Sequence, residues 1–135
     1  MIFLLDTTTF SDLVRDDPHT EGKLAGIAPA DRVAICSIVR GEVRHGIERL
    51  PSGKRREALE AKMLRLFAAI PCEPVLPAAG DHYGRIKATT QSEGLSLDEN
   101  DLWIAATALS LQATLVSRDT DFRRVDGLNI ADWSK

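Results

Sequence analysis

Three short apolar runs that do not alternate with polar residues restrict this fold more than any other feature. They are Ile2-Phe3-Leu4-Leu5 and the apolar centres of the strands expected at 32–37 and 114–117. A strand wetted on one face alternates apolar and polar side chains, whereas an unbroken run suits a strand covered on both faces. Helical spacing fills the intervals. A helix capped by Thr8 or Thr9 reaches about residue 15, where Asp17-Pro18 breaks it. A second short helix is expected at 21–27. Ser37 can cap a helix running to about residue 50, and Pro51-Ser52-Gly53 marks a turn. Residues 55–69 are amphipathic, with Leu59, Met63, Leu66 and Ile70 as the buried stripe. Residues 71–76 can hold a short strand, which their two prolines confine to an edge. Residues 78–93 and 100–111 are helical, and 128–131 supply a last strand. Strands alternating with helices predict right-handed crossovers, hence a three-layer α/β/α domain around a mostly parallel sheet of four or five strands. At 135 residues, one such domain over 1–135 is the simplest organisation, and it buries a core without disulfides.

In open parallel sheets ligands gather at the carboxyl ends of the strands, where strand order reverses. Two acids stand at such ends: Asp6 closes the first run, and Asp119 follows the run at 114–117. If those strands are neighbours, the two carboxylates start only ~5 Å apart. Two more acids occupy places with little structural use for charge. At ~100° per residue, Glu42 falls on the helix face that carries Val43, Gly46, Ile47 and Leu50, while Arg40, Arg44 and His45 project elsewhere. An unpaired carboxylate turned inward costs several kcal/mol, so Glu42 must meet a cation, either a metal ion or an arginine. Asp101 shares a face with Ala105 and Ala108, whose small side chains let its helix approach the sheet.

Each acid also has an ordinary structural account. Asp6 can cap the helix that follows it, and Asp98 with Asp101 can form a capping box favoured by the helix dipole. Asp119 or Asp121 can cap a short turn containing Phe122. Taken together, the four placements point to a cluster that only a shared hard cation would neutralise. Asp121 is a secondary ligand candidate.

The net charge of −3 is unevenly spread, with eight bases against four acids between residues 40 and 65 and acidic flanks on both sides. A basic middle beside an acidic pocket suits a polyanionic substrate, although Lys and Arg also decorate ordinary exposed helices. The first apolar run is too short for a signal peptide or a membrane span. Cys36 and Cys72 lack metal-ligand spacing and are expected as buried thiols in a reducing cytoplasm. His19, His45 and His82 are expected at the surface, outside the acidic motifs.

Four stretches carry a family likeness: Leu4-Leu5-Asp6-Thr7; Ser37-Ile38-Val39-Arg40-Gly41-Glu42 with Gly46; Asn100-Asp101-Leu102-Trp103-Ile104-Ala105-Ala106; and Val116-Ser117-Arg118-Asp119-Thr120-Asp121-Phe122. Together they resemble the PIN-domain nucleases, and within them the VapC toxins of toxin–antitoxin pairs. The chain departs from the family pattern at Thr8, where an asparagine is usual. The resemblance implies that Asp6, Glu42, Asp101 and Asp119 bind metal, with Asp121 as the rival fourth ligand and Thr7 and Ser117 assisting from behind. It implies Mg²⁺, or Mn²⁺, at an all-oxygen site, and hydrolysis of phosphodiester bonds in structured RNA, tRNA foremost. Arg40, Arg44 and Arg118 are the expected phosphate contacts. The resemblance further implies a homodimer, a cognate VapB-type antitoxin that carries the DNA-binding role, and a cytoplasmic location. A catalytically quiet PIN module serving only as an antitoxin's partner is the alternative. An aspartyl phosphotransferase is disfavoured because Thr8 replaces the second acid of an Asp-x-Asp.

Overall fold

β1 (Ile2–Leu5) lies at the centre of a five-stranded parallel sheet, as a run of unbroken apolar residues requires. The computed structural model describes residues 1–95 and 97–135. On one side of β1 come β2 (Arg32–Cys36) and the two-residue edge strand β3 (Cys72–Glu73). On the other side come β4 (Thr114–Val116) and β5 (Asn129–Ala131). The order β3-β2-β1-β4-β5 therefore reverses direction between β1 and β4. Leu4 and Leu5 point to opposite faces and are both fully buried, so helices cover the sheet on either side.

Those helices are α1 (Thr7–Val14), α2 (Pro18–Ala25), α3 (Ser37–Glu48), α4 (Lys54–Ala69), α5 (Pro77–Ser92) and α6 (Glu99–Ser110). α1, α3 and α4 pack on one another, while α5 lies along α6. Ala105, Ala106 and Ala108 are completely buried, and α6 contacts both β4 and α3. The α/β architecture and its parallel sheet match the expectation from sequence.

Several local expectations need correction. Neither Thr8 nor Thr9 caps α1: Asp6 does, its Oδ1 accepting the Thr9 amide at 2.8 Å. α2 starts earlier than expected, at Pro18, because proline is preformed for a first helical turn and Asp17 caps it. Ser37 is inside α3 rather than capping it, and Cys36 holds the cap position without a side-chain bond. The α4 stripe is narrower than its periodicity implied: Met63 and the adjoining Ile70 are buried, but Leu59 and Leu66 only partly. Cys72 is half-buried rather than buried. Its register partner is Ile35, while Glu73 pairs with Cys36, so the pleat sends the two thiols to opposite faces and both are free.

A candidate acidic site at the carboxyl end of the sheet

Parallel pairing places Leu5 beside Val116, and the Asp6 amide extends the ladder by donating to the Val116 carbonyl at 3.1 Å. Asp6 and Ser117 therefore leave the two central strands side by side, at the point where strand order reverses. Asp119 follows two residues later. Asp6 is buried. Burial pushes its carboxyl up from the usual range, opposed by hydrogen bonds from Ser117 and Thr9, and the charge of Asp119 pushes it up further.

Asp101 sits in the first turn of α6, half-buried, and its side chain has no hydrogen-bond partner among the described residues. Its carboxyl is pushed up to about 6, first by burial and then by the charges of Asp98, Asp119, Glu42 and Asp6. Those causes define the cluster: the other three acids singled out in the sequence all act on Asp101, and Asp119 acts on Asp6 as well. The capping-box account of Asp101 fails, because Asp98 occupies the cap position but forms no side-chain cap bond.

Glu42 departs from its expected environment. It is partly exposed rather than turned into the core, and no arginine meets it among the described residues. Instead it accepts hydrogen bonds from the Thr7 hydroxyl and from Asn100 Nδ2, the latter at 3.2 Å. Packing against α1 and α6 sets this outlook, and a single helical wheel does not contain that information. Thr7, Gly41, Glu42, His45, Arg49 and Asn100 line an open groove of ≈ 550 Å³. His45 is exposed, as expected, and lies along the groove. Asn100 and Arg49 are site residues that sequence reasoning did not single out. Arg49 stands seven positions, two turns, beyond Glu42 on α3, and that spacing was the available signal.

Asp119 is exposed and caps the short turn Thr120–Arg124, its Oδ1 accepting the Asp121 amide at 2.9 Å. Its own amide is held by the Ser117 hydroxyl at 3.0 Å. Asp121 lies 3.9 Å from Arg124 and is absent from the charges acting on Asp6 and Asp101. Asp119, rather than Asp121, is electrostatically part of the cluster. Ser117 is buried and touches Asp6 and the Asp119 amide, while Thr7 supports Glu42, so both polar helpers stand behind the acids.

The arginines expected at the mouth are engaged elsewhere. Arg40 stacks 4.1 Å over the Phe67 ring, Arg44 faces Glu48 at 3.7 Å, and Arg118 pairs with Asp12 at 3.1 Å. Arg40 and Arg44 lie one helical turn apart, on a side of α3 roughly opposite Glu42.

The donor set is all oxygen, which suits a hard divalent cation such as Mg²⁺ or Mn²⁺ and not zinc. Among the described residues, however, no three His, Cys, Asp or Glu side chains are gathered tightly enough to hold an ion. Glu42 and Asp119 are turned to protein partners. The fit is therefore one of chemistry and location.

A PIN domain sequence profile matches residues 3–128. The chain is 30% identical to ribonuclease VapC1 of Haemophilus influenzae over 138 aligned positions, covering 100% of both chains. It is 31% identical to toxin FitB of Neisseria gonorrhoeae, covering 88% of each. In structure it is similar to VapBC2 from Rickettsia felis, described bound to a DNA fragment from the pair's promoter. The TM-score is 0.90 at 25% identity, over 98% of this chain and 99% of that one.

Proposed function

This chain belongs to the PIN-domain family, and from that premise we propose that it is the ribonuclease toxin of a VapBC-type toxin–antitoxin pair. The observation that carries the proposal is the convergence of Asp6, Glu42 and Asp119 on Asp101 at the reversal point of a parallel sheet. Lysine and arginine are absent from their direct hydrogen-bond partners among the described residues. A cation or a proton would offset the repulsion within such a set.

Asp6, Glu42, Asp101 and Asp119 would hold a divalent cation, Mg²⁺ or Mn²⁺, with Asp121 as the alternative fourth ligand. When bound, that ion would supply Lewis-acid activation of water and charge stabilisation at the leaving oxygen. The protein's own work is positional. Thr7 and Asn100 aim the Glu42 carboxylate into the groove. Thr9 and Ser117 fix Asp6, and Ser117 ties down the backbone of Asp119. Asp101, free of protein hydrogen bonds among the described residues, is best placed to orient a water or accept its proton. Neighbouring carboxylate charge acts on both Asp6 and Asp101, so no single residue is assigned as the base.

On this reading one PIN domain spans 1–135, the substrate is a structured RNA such as tRNA, and the protein works in the cytoplasm as a homodimer. A VapB-type antitoxin would be its partner and bring the DNA contacts. No described helix is long and apolar enough to cross a membrane. The alternative, a catalytically quiet partner module, draws on the outward turn of Glu42 and Asp119. Incubation of purified protein with total tRNA, in Mg²⁺ or Mn²⁺ and then in EDTA, separates the two. Cleavage that needs the cation and is lost in Glu42→Gln supports the nuclease, whereas intact RNA in every condition favours the quiet module.

A further inference from the structure

Next to the acids, on the far side of Glu42, a crevice of ≈ 140 Å³ opens between α1, α3 and α4. Three arginines reach it: Arg15 from the end of α1, Arg49 from the end of α3 and Arg55 from the start of α4. All three are exposed, and none forms an ion pair with a described residue. Their neighbour Arg56 behaves differently. It donates to the Leu50 carbonyl at 3.2 Å and to Glu48 at 2.9 Å, pinning α3 to α4 and fixing one wall of the crevice.

Helix dipoles account for two of these charges but not the third. Arg15 and Arg49 cap helix C-termini, where a cation is favoured. Arg55 lies in the first turn of α4, where the dipole opposes it, between Lys54 and Arg56 and after a Gly53 that supplies no side-chain cap. Glu57 shares that turn and Glu48 takes up Arg56, so Lys54 and Arg55 are the charges the dipole still opposes, and an anionic ligand would offset them. Glu42 lines both the groove and this crevice, so a polyanion lying across the acids would run directly onto the guanidinium groups.

We propose that Arg15, Arg49 and Arg55 form a phosphate subsite that holds the RNA backbone beside the carboxylate cluster. The inference rests on reading those carboxylates as a ribonuclease centre. It replaces the contacts expected at Arg40, Arg44 and Arg118. Guanidinium groups match phosphate oxygens in bidentate geometry, and a crevice this small admits one phosphate rather than a folded segment. Such contacts position the chain and make affinity salt-dependent without reading bases.

The test measures binding of a fluorescein-labelled single-stranded oligoribonucleotide by anisotropy in EDTA, which leaves the RNA intact, over a series of salt concentrations. Arg55→Gln and Arg49→Gln are each expected to weaken binding by roughly three- to tenfold and to flatten the salt slope by ~0.7 per lost contact. Arg85→Gln on α5, outside the crevice, serves as control. In cleavage assays KM should rise while kcat is retained. Melting curves confirm folding, and the single variants decide the matter if a triple variant does not fold. Unchanged RNA affinity and salt slope in both variants would overturn the subsite even if the wild type cleaves RNA, as would wild-type protein that binds no RNA. Loss of binding to poly-glutamate with RNA affinity intact would likewise overturn it and mark the crevice as a dock for an acidic protein segment. RNA bound through these arginines without cleavage in any cation would leave the subsite standing and remove the ribonuclease reading.

Discussion

Two groups of carboxylates in this molecule have opposite fortunes. On the outer surface Asp16 and Glu21 gather round Lys62, at 2.6 and 3.1 Å, and the Lys62 ammonium holds Asp16 below the usual carboxylate range. At the sheet's end Asp6 and Asp101 are pushed the other way, Asp101 to about 6. Burial is the largest cause of the rise at Asp6 and Asp101, and the kind of partner completes the contrast. Around Lys62 the chain provides an ammonium. Around the acidic cluster it provides hydroxyls and amides (Thr7, Thr9, Ser117, Asn100), which orient carboxylates without neutralising them. The neighbouring guanidinium of Arg118 is committed to Asp12. The sequence thus leaves charge uncompensated in one place only after supplying the groups to aim it.

That contrast breaks first on activity. Asp101→Asn should lower RNA cleavage more than about a hundredfold, ~3 kcal/mol in the barrier, whereas Lys62→Met should stay within about twofold in the same assay. Equal losses in the two variants would erase the distinction.

The next effect in size is cation binding. Mg²⁺ or Mn²⁺ at ~100 times its dissociation constant should stabilise the wild type by about 2.7 kcal/mol, seen as a rise in melting temperature that EDTA reverses. A doubly substituted Asp6→Asn, Asp101→Asn protein should show no such rise.

A smaller effect concerns the cation-free fold. Because the folded-state pKa of Asp101 is raised from 3.8 to about 6, its contribution to stability is complete below the lower value. It is lost as pH rises through the upper one. Removing the charge by Asp101→Asn should therefore stabilise the protein in EDTA at neutral pH. The full shift would be worth ~3 kcal/mol, and solvent at this half-buried group reduces that to ~1 kcal/mol. The advantage over wild type should fade as the pH falls toward about 4. Melts showing strong destabilisation of the variant would instead make Asp101 a structural residue.

The smallest change is expected for Lys62→Met, a shift in melting temperature below about 3 °C. Its sign with pH is the reverse. Asp16 is lowered by Lys62, so the difference from wild type should be present at neutral pH and disappear as Asp16 protonates. A difference that grows on acidification would contradict that assignment.

The sheet was legible because its information is local. Ile2–Leu5 is unbroken and apolar, and the carboxyl-end rule then placed Asp6 and Asp119 together without knowledge of any contact. Asp101 was readable from the small residues Ala105 and Ala108 that bring α6 close. The unread part depends on how helices meet. The wheel of α3 put Glu42 on the apolar side, but the real boundary of that side is set by α1 and α6, leaving Glu42 half-exposed between Thr7 and Asn100. Packing of α3 on α4 also drew Arg40 onto Phe67, a contact between residues 27 positions apart that no local pattern announces. Capping is a simpler case: being a cap does not exclude Asp6 from being a ligand, because a carboxylate that accepts the Thr9 amide through one oxygen has further lone pairs to offer.

The central place of β1 has a consequence for synthesis. One of its partners, β2, begins at Arg32, but the other, β4, ends at Val116. A chain emerging from the ribosome carries Asp6 long before Asp119 exists, so its acidic constellation cannot assemble until most of the polypeptide has been translated. Nascent chains would pass through the RNA-rich environment of their own birth unarmed.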